Sequence, residues 1–273
     1  MKKRLPSILI GLLFLVGLGI MIYPTVSNQW NTYRQNKLIS NYEKIVDDMS
    51  DEDFSQEWQN AQAFNETISG NNVFADVFGE KSKDSENSEY NRVLNVNNDG
   101  IMGYISIPEI NIKLAIYHGT SDDVLQTGVG HINGSKLPIG GESTHCVLAA
   151  HRGLPSAELF TDIDQLQTGD KFYLHILDKV LAYEVDQIKT VLPSQTDDIE
   201  IVDGEDYVTL VTCTPYSVNT HRLLVRGKRT DYKEAIKKTP NKVNNGIQIP
   251  YEVKLAFLSF IIIGIIIFIW RRR

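Results

Sequence analysis

Two stretches of this 273-residue chain carry no charge at all: Ser7–Tyr23 and Leu255–Trp270. Each is apolar and about as long as a minimal membrane-crossing helix. Between them the pattern changes twice. From Gln29 to Ile68 apolar side chains recur at helical spacing, at Leu38, Tyr42, Ile45 and Met49, then at Trp58 and Phe64. That spacing predicts two helices, Gln29–Met49 and Asp51–Ile68. Ser50 stands as the N-cap of the second, and Asp51, Glu52 and Asp53 sit in its first turn. Ser69–Asp99 is rich in Asn, Ser and Gly and reads as a loop around one less polar island, Val73–Phe78.

From Gly100 the texture becomes that of short strands: Ile101–Ile107, Ile112–Tyr117, Thr144–Ala150, Lys171–Ile176, Val180–Ile188, Thr190–Leu192, Tyr207–Thr212 and Leu223–Lys228. Short helices are predicted at Ser121–Gly128 and Ala157–Gln165. The acidic run Asp197–Asp206 reads as a solvated loop. Eight short strands with few helices between them predict a mainly β body, a closed barrel or a sandwich.

Charge then orients the chain. Met1-Lys2-Lys3-Arg4 precedes the first apolar stretch and Arg271-Arg272-Arg273 follows the second. The excess of cations beside membrane spans on the cytoplasmic side places both ends inside the cell and Pro24–Pro250 outside. No small-residue cleavage site follows the first stretch, which predicts a retained anchor. The whole chain has a net charge of -7, and the part from Pro24 to Pro250 holds 20 Lys and Arg against 33 Asp and Glu. A body that acidic argues against nucleic-acid binding. Two cysteines, Cys146 and Cys213, make no disulfide framework. A Cys146–Cys213 disulfide stays open and requires close Cα atoms.

The candidate chemistry gathers at Cys213. The run Val208–Thr212 ends on this thiol, a Thr214-Pro215-Tyr216-Ser217 turn follows, and a second apolar run opens with His221-Arg222. A lone cysteine is usually a small buried hydrophobe. A cysteine enzyme needs more: a thiolate, a proton carrier and a group that holds the developing oxyanion. Six histidines are available, and spacing does not choose among them. His151 falls where the strand Thr144–Ala150 ends, a place that faces a cleft; His131, His145 and His221 stay open. Arg222 and Arg226 share a face if their strand is regular.

Thr209-Leu210-Val211-Thr212-Cys213 resembles the TLxTC motif of sortases, transpeptidases of Gram-positive surfaces. The run Thr214–Gly227 is similar to their pilin-polymerising class C, as are Leu137-Pro138-Ile139-Gly140-Gly141, Thr144-His145, Ala150-His151-Arg152-Gly153-Leu154-Pro155 and Leu159-Phe160-Thr161-Asp162 with Gly169-Asp170. The resemblance covers about residues 100–230. It implies a closed eight-stranded sortase barrel, with Cys213 as nucleophile, His151 as proton carrier and Arg222 as the third member. Class C members carry a lid with an Asp-Pro-aromatic motif. Asp76-Val77-Phe78 stands in its place here, so Asp76 and Phe78 are the expected lid residues, and Val77 lacks the stiffness a proline would bring.

The implied reaction is cleavage of an LPxTG-like motif between Thr and Gly. The implied partners are pilin subunits or surface proteins bearing such motifs, with a pilin lysine as the acceptor. A peptidoglycan amine is the alternative acceptor, and a non-enzymatic surface adhesin the alternative role. No cofactor, metal or nucleic acid is implied. Gln248-Ile249-Pro250-Tyr251-Glu252 lacks the Thr-Gly of a sorting motif, so the tail reads as an anchor. The expected organisation is an anchor over 1–24, a helical segment and lid over 25–99, the barrel over 100–232, a linker over 233–252 and a second membrane helix over 253–273.

Overall fold

A computed structural model describes residues 5–68, 78 and 89–233. Two helices lead into the body, α1 (Leu5–Asp47) and α2 (Asp51–Thr67). The strands are β1 (Ile101–Ile107), β2 (Ile112–His118), β3 (Val129–His131), β4 (Thr144–Ala149), β5 (Lys171–Ile176), β6 (Lys179–Val191), β7 (Asp206–Thr214) and β8 (His221–Thr230), with one short helix, α3 (Asp122–Thr127), before β3. They close into a barrel in the order β1-β2-β3-β4-β7-β8-β6-β5. Two neighbour pairs are parallel, β2 with β3 and β4 with β7; the others are antiparallel. Closure removes the exposed sheet edges that invite aggregation.

The eight-stranded barrel matches the sequence expectation, but its eight strands are counted differently. Val180–Ile188 and Thr190–Leu192 are one strand, β6, which passes its partner β8 with a bulge between Val185 and Gln187. β3 spans only three residues, too few for a periodic signal. The helix expected at Ala157–Gln165 is absent. A short 3₁₀ turn, Ile163–Gln165, ends a run of turns there, and Leu159 has φ +42°. Tertiary contacts override the local pattern: the Phe160 N–H donates to the His151 carbonyl at 3.1 Å, and Leu159, Phe160 and Ile163 are buried.

The N-terminal elements also differ from expectation. The apolar stretch and the helix beyond it are one continuous helix, α1, with Pro24 inside it. At 1.5 Å per residue it is about 65 Å long. Its docked stripe is turned from the one expected: Gln35, Ile39, Tyr42 and Val46 are buried. Ile39, Tyr42 and Val46 pack on Ile101, Tyr104 and Ala115 of the barrel wall. α2 opens with the expected cap, the Asp53 N–H donating to Ser50 Oγ and the Ser50 N–H to Asp53 Oδ2. Trp58, Ala61 and Phe64 pack into the same apolar cluster as Ile105, Leu148, Leu210 and Val225 of the barrel. The linker beyond residue 233 and the second apolar stretch lie outside the described residues.

One buried hydroxyl fastens α1 to the barrel. Tyr42 Oη accepts the Leu177 N–H at 2.8 Å and donates to the Met102 carbonyl at 3.2 Å. Burial pushes the Tyr42 phenol up to about 12, so it stays protonated. Tyr42→Phe leaves both backbone partners buried and unpaired, which costs about 1–3 kcal/mol. Denaturant unfolding is expected to show that loss, and hydrogen exchange at Leu177 is expected to accelerate. Unchanged stability would mean that water replaces the hydroxyl.

Candidate active site

Strand alternation sorts the residues of β4, β7 and β8 onto two faces. Cys146, Leu148, Val208, Leu210, Leu223 and Val225 point into the barrel. Val147, Ala149, Val211 and Leu224 lie on the outer face in a second apolar cluster with Leu125, Ile132 and Ile199. On that outer face Cys213 follows Val211, and Arg222 precedes Leu224. Cys213 and Arg222 are direct partners in the antiparallel β7–β8 ladder, so their side chains leave the sheet side by side.

His151 reaches the same row from the other side. β4 and β7 run parallel with Ala149 level with Val211. Two residues further on, His151 stands level with Cys213. The approach is held by the Ala150 N–H donating to the Val211 carbonyl at 3.2 Å and by Thr212 Oγ1 donating to the Ala150 carbonyl at 2.7 Å. Cys213 and Arg222 are both buried. The guanidinium Nη1 donates to the carbonyls of Asn219 and His221 at 2.9 and 2.8 Å, which aims the fork at the end of β7.

Burial lowers the pKa of His151 from its usual value, opposed by the charge of Asp122, so at neutral pH the imidazole is largely neutral. A neutral imidazole beside a thiol can accept its proton. Phe78 contributes to that burial. Its ring lies 5.5 Å from the His151 ring, 5.2 Å from the Arg222 guanidinium, and against the outer apolar cluster. The aromatic residue expected in the lid therefore sits over two of the three expected site residues. Asp76 lies outside the described residues.

Removing the Phe78 ring is expected to expose the site. A partly buried phenyl contributes about 1.5–2 kcal/mol at typical transfer values, and each 1.4 kcal/mol is about tenfold in a population. Phe78→Ala should therefore raise the alkylation rate of Cys213 by at least about tenfold. It should also move the His151 pKa up toward its usual value. Thiol kinetics and imidazole NMR titration test both, and an unaltered alkylation rate would exclude Phe78 as a cover.

The other histidines are placed elsewhere. His145 contacts the Glu200 carbonyl and Thr209 Oγ1, each at 2.7 Å, and so ties the loop carrying Ile199 to β7. His131 is fully buried against Tyr90 Oη, and burial lowers its pKa to about 4. His175 stacks on Tyr104 with ring centroids 4.1 Å apart. His118 is engaged by the Gly100 and Val93 carbonyls. His221 pairs with Thr214, one step from Arg222 and thus on the opposite face. Arg226 does share the outer face with Arg222, but it forms a bidentate pair with Asp186 at 3.0 and 2.7 Å and stacks on Tyr207.

Some contributors fell within the matched motifs but had no role assigned from the sequence. Arg152 joins the His151 loop to β7, donating to Thr214 Oγ1 at 3.2 Å and pairing with Asp164. Gly153 has φ +76°, and a Cβ there would meet the Tyr216 ring at 3.0 Å, so only glycine lets Tyr216 pack on the loop. The cluster beneath Phe78 was detectable in one respect. Val208–Thr212 is made of Val, Leu and Thr with no charged residue, as befits a strand covered on both faces.

Among the described residues, no group of three His, Cys, Asp or Glu is disposed to hold a metal ion. Four of the six acids of residues 197–206 are engaged by separate partners: Asp198 by Lys189 and Gln187, Asp203 by Ser143, Glu205 by Lys228, and Asp206 by Tyr183 and Gly141. The expectation of a wholly solvated loop fails at Asp206, where burial raises the carboxyl pKa. Neither cysteine forms a disulfide, and Cys146 is level with Val208, five residues from Cys213 along β7. At 3.3 Å per residue that separation is about 16 Å, far beyond disulfide reach.

Residues 105–230 match the family model for the sortase domain. Sortase A of Streptococcus agalactiae serotype III is 29% identical over 158 residues, which cover 55% of this chain and 63% of that protein. The chain thus spans under two thirds of the length of that curated relative. Among solved structures, sortase C-1 of Streptococcus pneumoniae is 47% identical with a TM-score of 0.68, over 72% of this chain and 99% of that one. A pilus-related sortase C of Group B Streptococcus is 43% identical with a TM-score of 0.66, over 71% of this chain and 98% of that one.

Proposed function

The chain belongs to the sortase family, and we propose that it is a cysteine transpeptidase that joins pilin subunits. The observation that carries this reading is the single outer-face row of His151, Cys213 and Arg222, the last two paired in register. Cys213 passes its proton to the neutral His151, and the sulfur attacks the Thr carbonyl of an LPxTG-like motif. The oxyanion forms beside Arg222, whose charge is partly shielded from water and therefore acts strongly. Collapse breaks the Thr–Gly bond; His151 returns its proton to the departing glycine amine, leaving a thioester. An incoming amine then attacks the thioester, loses its proton to His151, and the sulfur leaves. The net result is one peptide bond broken and one amide formed.

A pilin lysine is the favoured acceptor because the solved neighbours are sortases C, one of them described as pilus-related. Incubating the enzyme with a purified pilin subunit bearing the motif is expected to give detergent-resistant ladders on gels. Transfer only to a peptidoglycan amine, with no ladder, would replace this acceptor. A purely adhesive role would leave both assays blank.

We further propose that α1 anchors the protein in the membrane, the barrel lying outside the cell. α1 is long and apolar enough to cross a bilayer, and none of its apolar window is buried in the protein. The uncharged stretch at residues 255–270 would supply a second crossing.

A further inference from the structure

The anchor helix and the site loop are joined with no linker between them. Ser27 Oγ donates to the Ser156 carbonyl at 3.0 Å, Asn28 Nδ2 donates to Glu158 Oε2 at 2.8 Å, and the Glu158 N–H donates to Asn28 Oδ1 at 2.9 Å. Higher up, Gln35 Nε2 donates to the Thr127 carbonyl and its Oε1 accepts the Ala115 N–H. Glu43 accepts from Tyr104 Oη and Lys113. These contacts, with Tyr42 and the packing around it, fix the height of each barrel loop along α1.

The heights follow from the helical rise. Tyr23 ends the uncharged stretch. Ser27 stands about 6 Å beyond it and Glu43 about 30 Å beyond it. The polar headgroup layer is about 5–7 Å thick on each side. With the uncharged stretch in the bilayer and α1 along its normal, the Pro155–Glu158 loop would fall within the headgroup layer and Lys113 well above it. That loop continues from His151, whose carbonyl holds Phe160.

A second observation points to lipid. Away from the barrel, α1 carries Tyr23, Val26, Trp30 and Tyr33, each 55–62% exposed. Their spacing of three, four and three residues makes one ridge, and the Trp30 and Tyr33 rings are 5.8 Å apart. Aromatic side chains at the end of an apolar span favour the membrane interface, where an apolar ring and a polar edge are both accommodated. The ridge is continuous with the span itself.

We propose that the lipid headgroup layer is a docking partner of the barrel, engaged through the Tyr23–Tyr33 ridge and the Pro155–Glu158 loop, so that the loop following His151 meets the membrane surface. The proposal rests on the membrane-anchor reading above. It implies that substrates still held in the bilayer reach the thiol without leaving it.

The test uses the full chain in phosphatidylcholine vesicles containing headgroup-nitroxide lipid, in a Cys213→Ala background. Pro155→Cys or Lys113→Cys then carries a fluorophore, both positions being exposed and Cys146 being buried. The label at 155 is expected to be quenched several-fold more than the label at 113. Trp30 fluorescence, read in a Trp58→Phe, Trp270→Phe variant, should be quenched as well. Equal quenching of the two labels in a chain that floats with the vesicles would overturn the seating and leave the anchor standing. Failure to float would overturn both readings. An unquenched Trp30 in a chemically cross-linkable dimer would assign the ridge to a second copy and overturn the proposal.

Discussion

Cys213→Ala is expected to abolish turnover and to leave no covalent adduct with a motif peptide. Removing the sole nucleophile of an enzyme that acts through an acyl intermediate typically costs on the order of 10⁶ in kcat. The fold should tolerate the change. Cys213 lies near the end of β7 on the same face as Val211, not in the barrel interior, and alanine keeps its Cβ. Peptide binding should therefore survive the loss of chemistry. Intact-mass spectrometry of enzyme mixed with peptide tests the adduct, and a thermal melt tests the fold. An adduct that persists in this variant would move the nucleophile elsewhere. Cys146 is a poor substitute: burial holds its thiol well above the usual range, and it faces the barrel interior.

Arg222→Ala is expected to be the next most damaging change. Loss of one oxyanion donor typically lowers kcat by about 10²–10³, or about 2.7–4 kcal/mol. The same substitution removes the cation under Phe78 and the two bonds that hold residues 219–221 at the mouth of the site. KM should change less than kcat if Arg222 acts mainly on the developing charge. Arg222→Lys discriminates further. Lysine restores a charge but not the planar fork that meets Asn219 and His221 while facing the thiol. It is expected to recover only a minor part of the rate. Full activity in Arg222→Lys would reduce the role to simple charge, and full activity in Arg222→Ala would exclude Arg222 from the chemistry.

The local elements were largely legible in the sequence because their causes are local. Short apolar and β-branched runs marked β1, β2, β4, β5 and most of β7 and β8 to within a residue or two. Ser50 with Asp53 marked the start of α2, since a cap is a contact across three residues. Where the expectation failed, a distant group had intervened. Ala157–Gln165 has the composition of a helix, yet the His151 carbonyl and a buried Leu159–Phe160 pair hold it as turns. α1 runs through Pro24 because Ser27, Asn28 and Gln35 are tied to the barrel on its far side, which offsets the one backbone bond that proline forgoes.

The candidate site divides along the same line. A motif match named Cys213, His151, Arg222 and Phe78 together, whereas spacing alone did not choose among the six histidines. Register decides the meeting point: the parallel pairing of β4 with β7 and the antiparallel pairing of β7 with β8 bring residues 151, 213 and 222 into one row. The same alternation sends His221 to the other face and Cys146 to the interior.

What the sequence determined by itself is therefore most of the strands, the uncharged spans, the acidic body and the family motif, because each is written in neighbouring residues. What only the tertiary structure decided is which side chains share a face and a level: Arg222 and not Arg226 beside the thiol, Phe78 across His151 and Arg222, and the His151 loop at the height of Ser27. Those relations depend on ladder register and on contacts between residues far apart in the chain, such as Phe78 with Arg222 and Ser27 with Ser156, which no local pattern encodes.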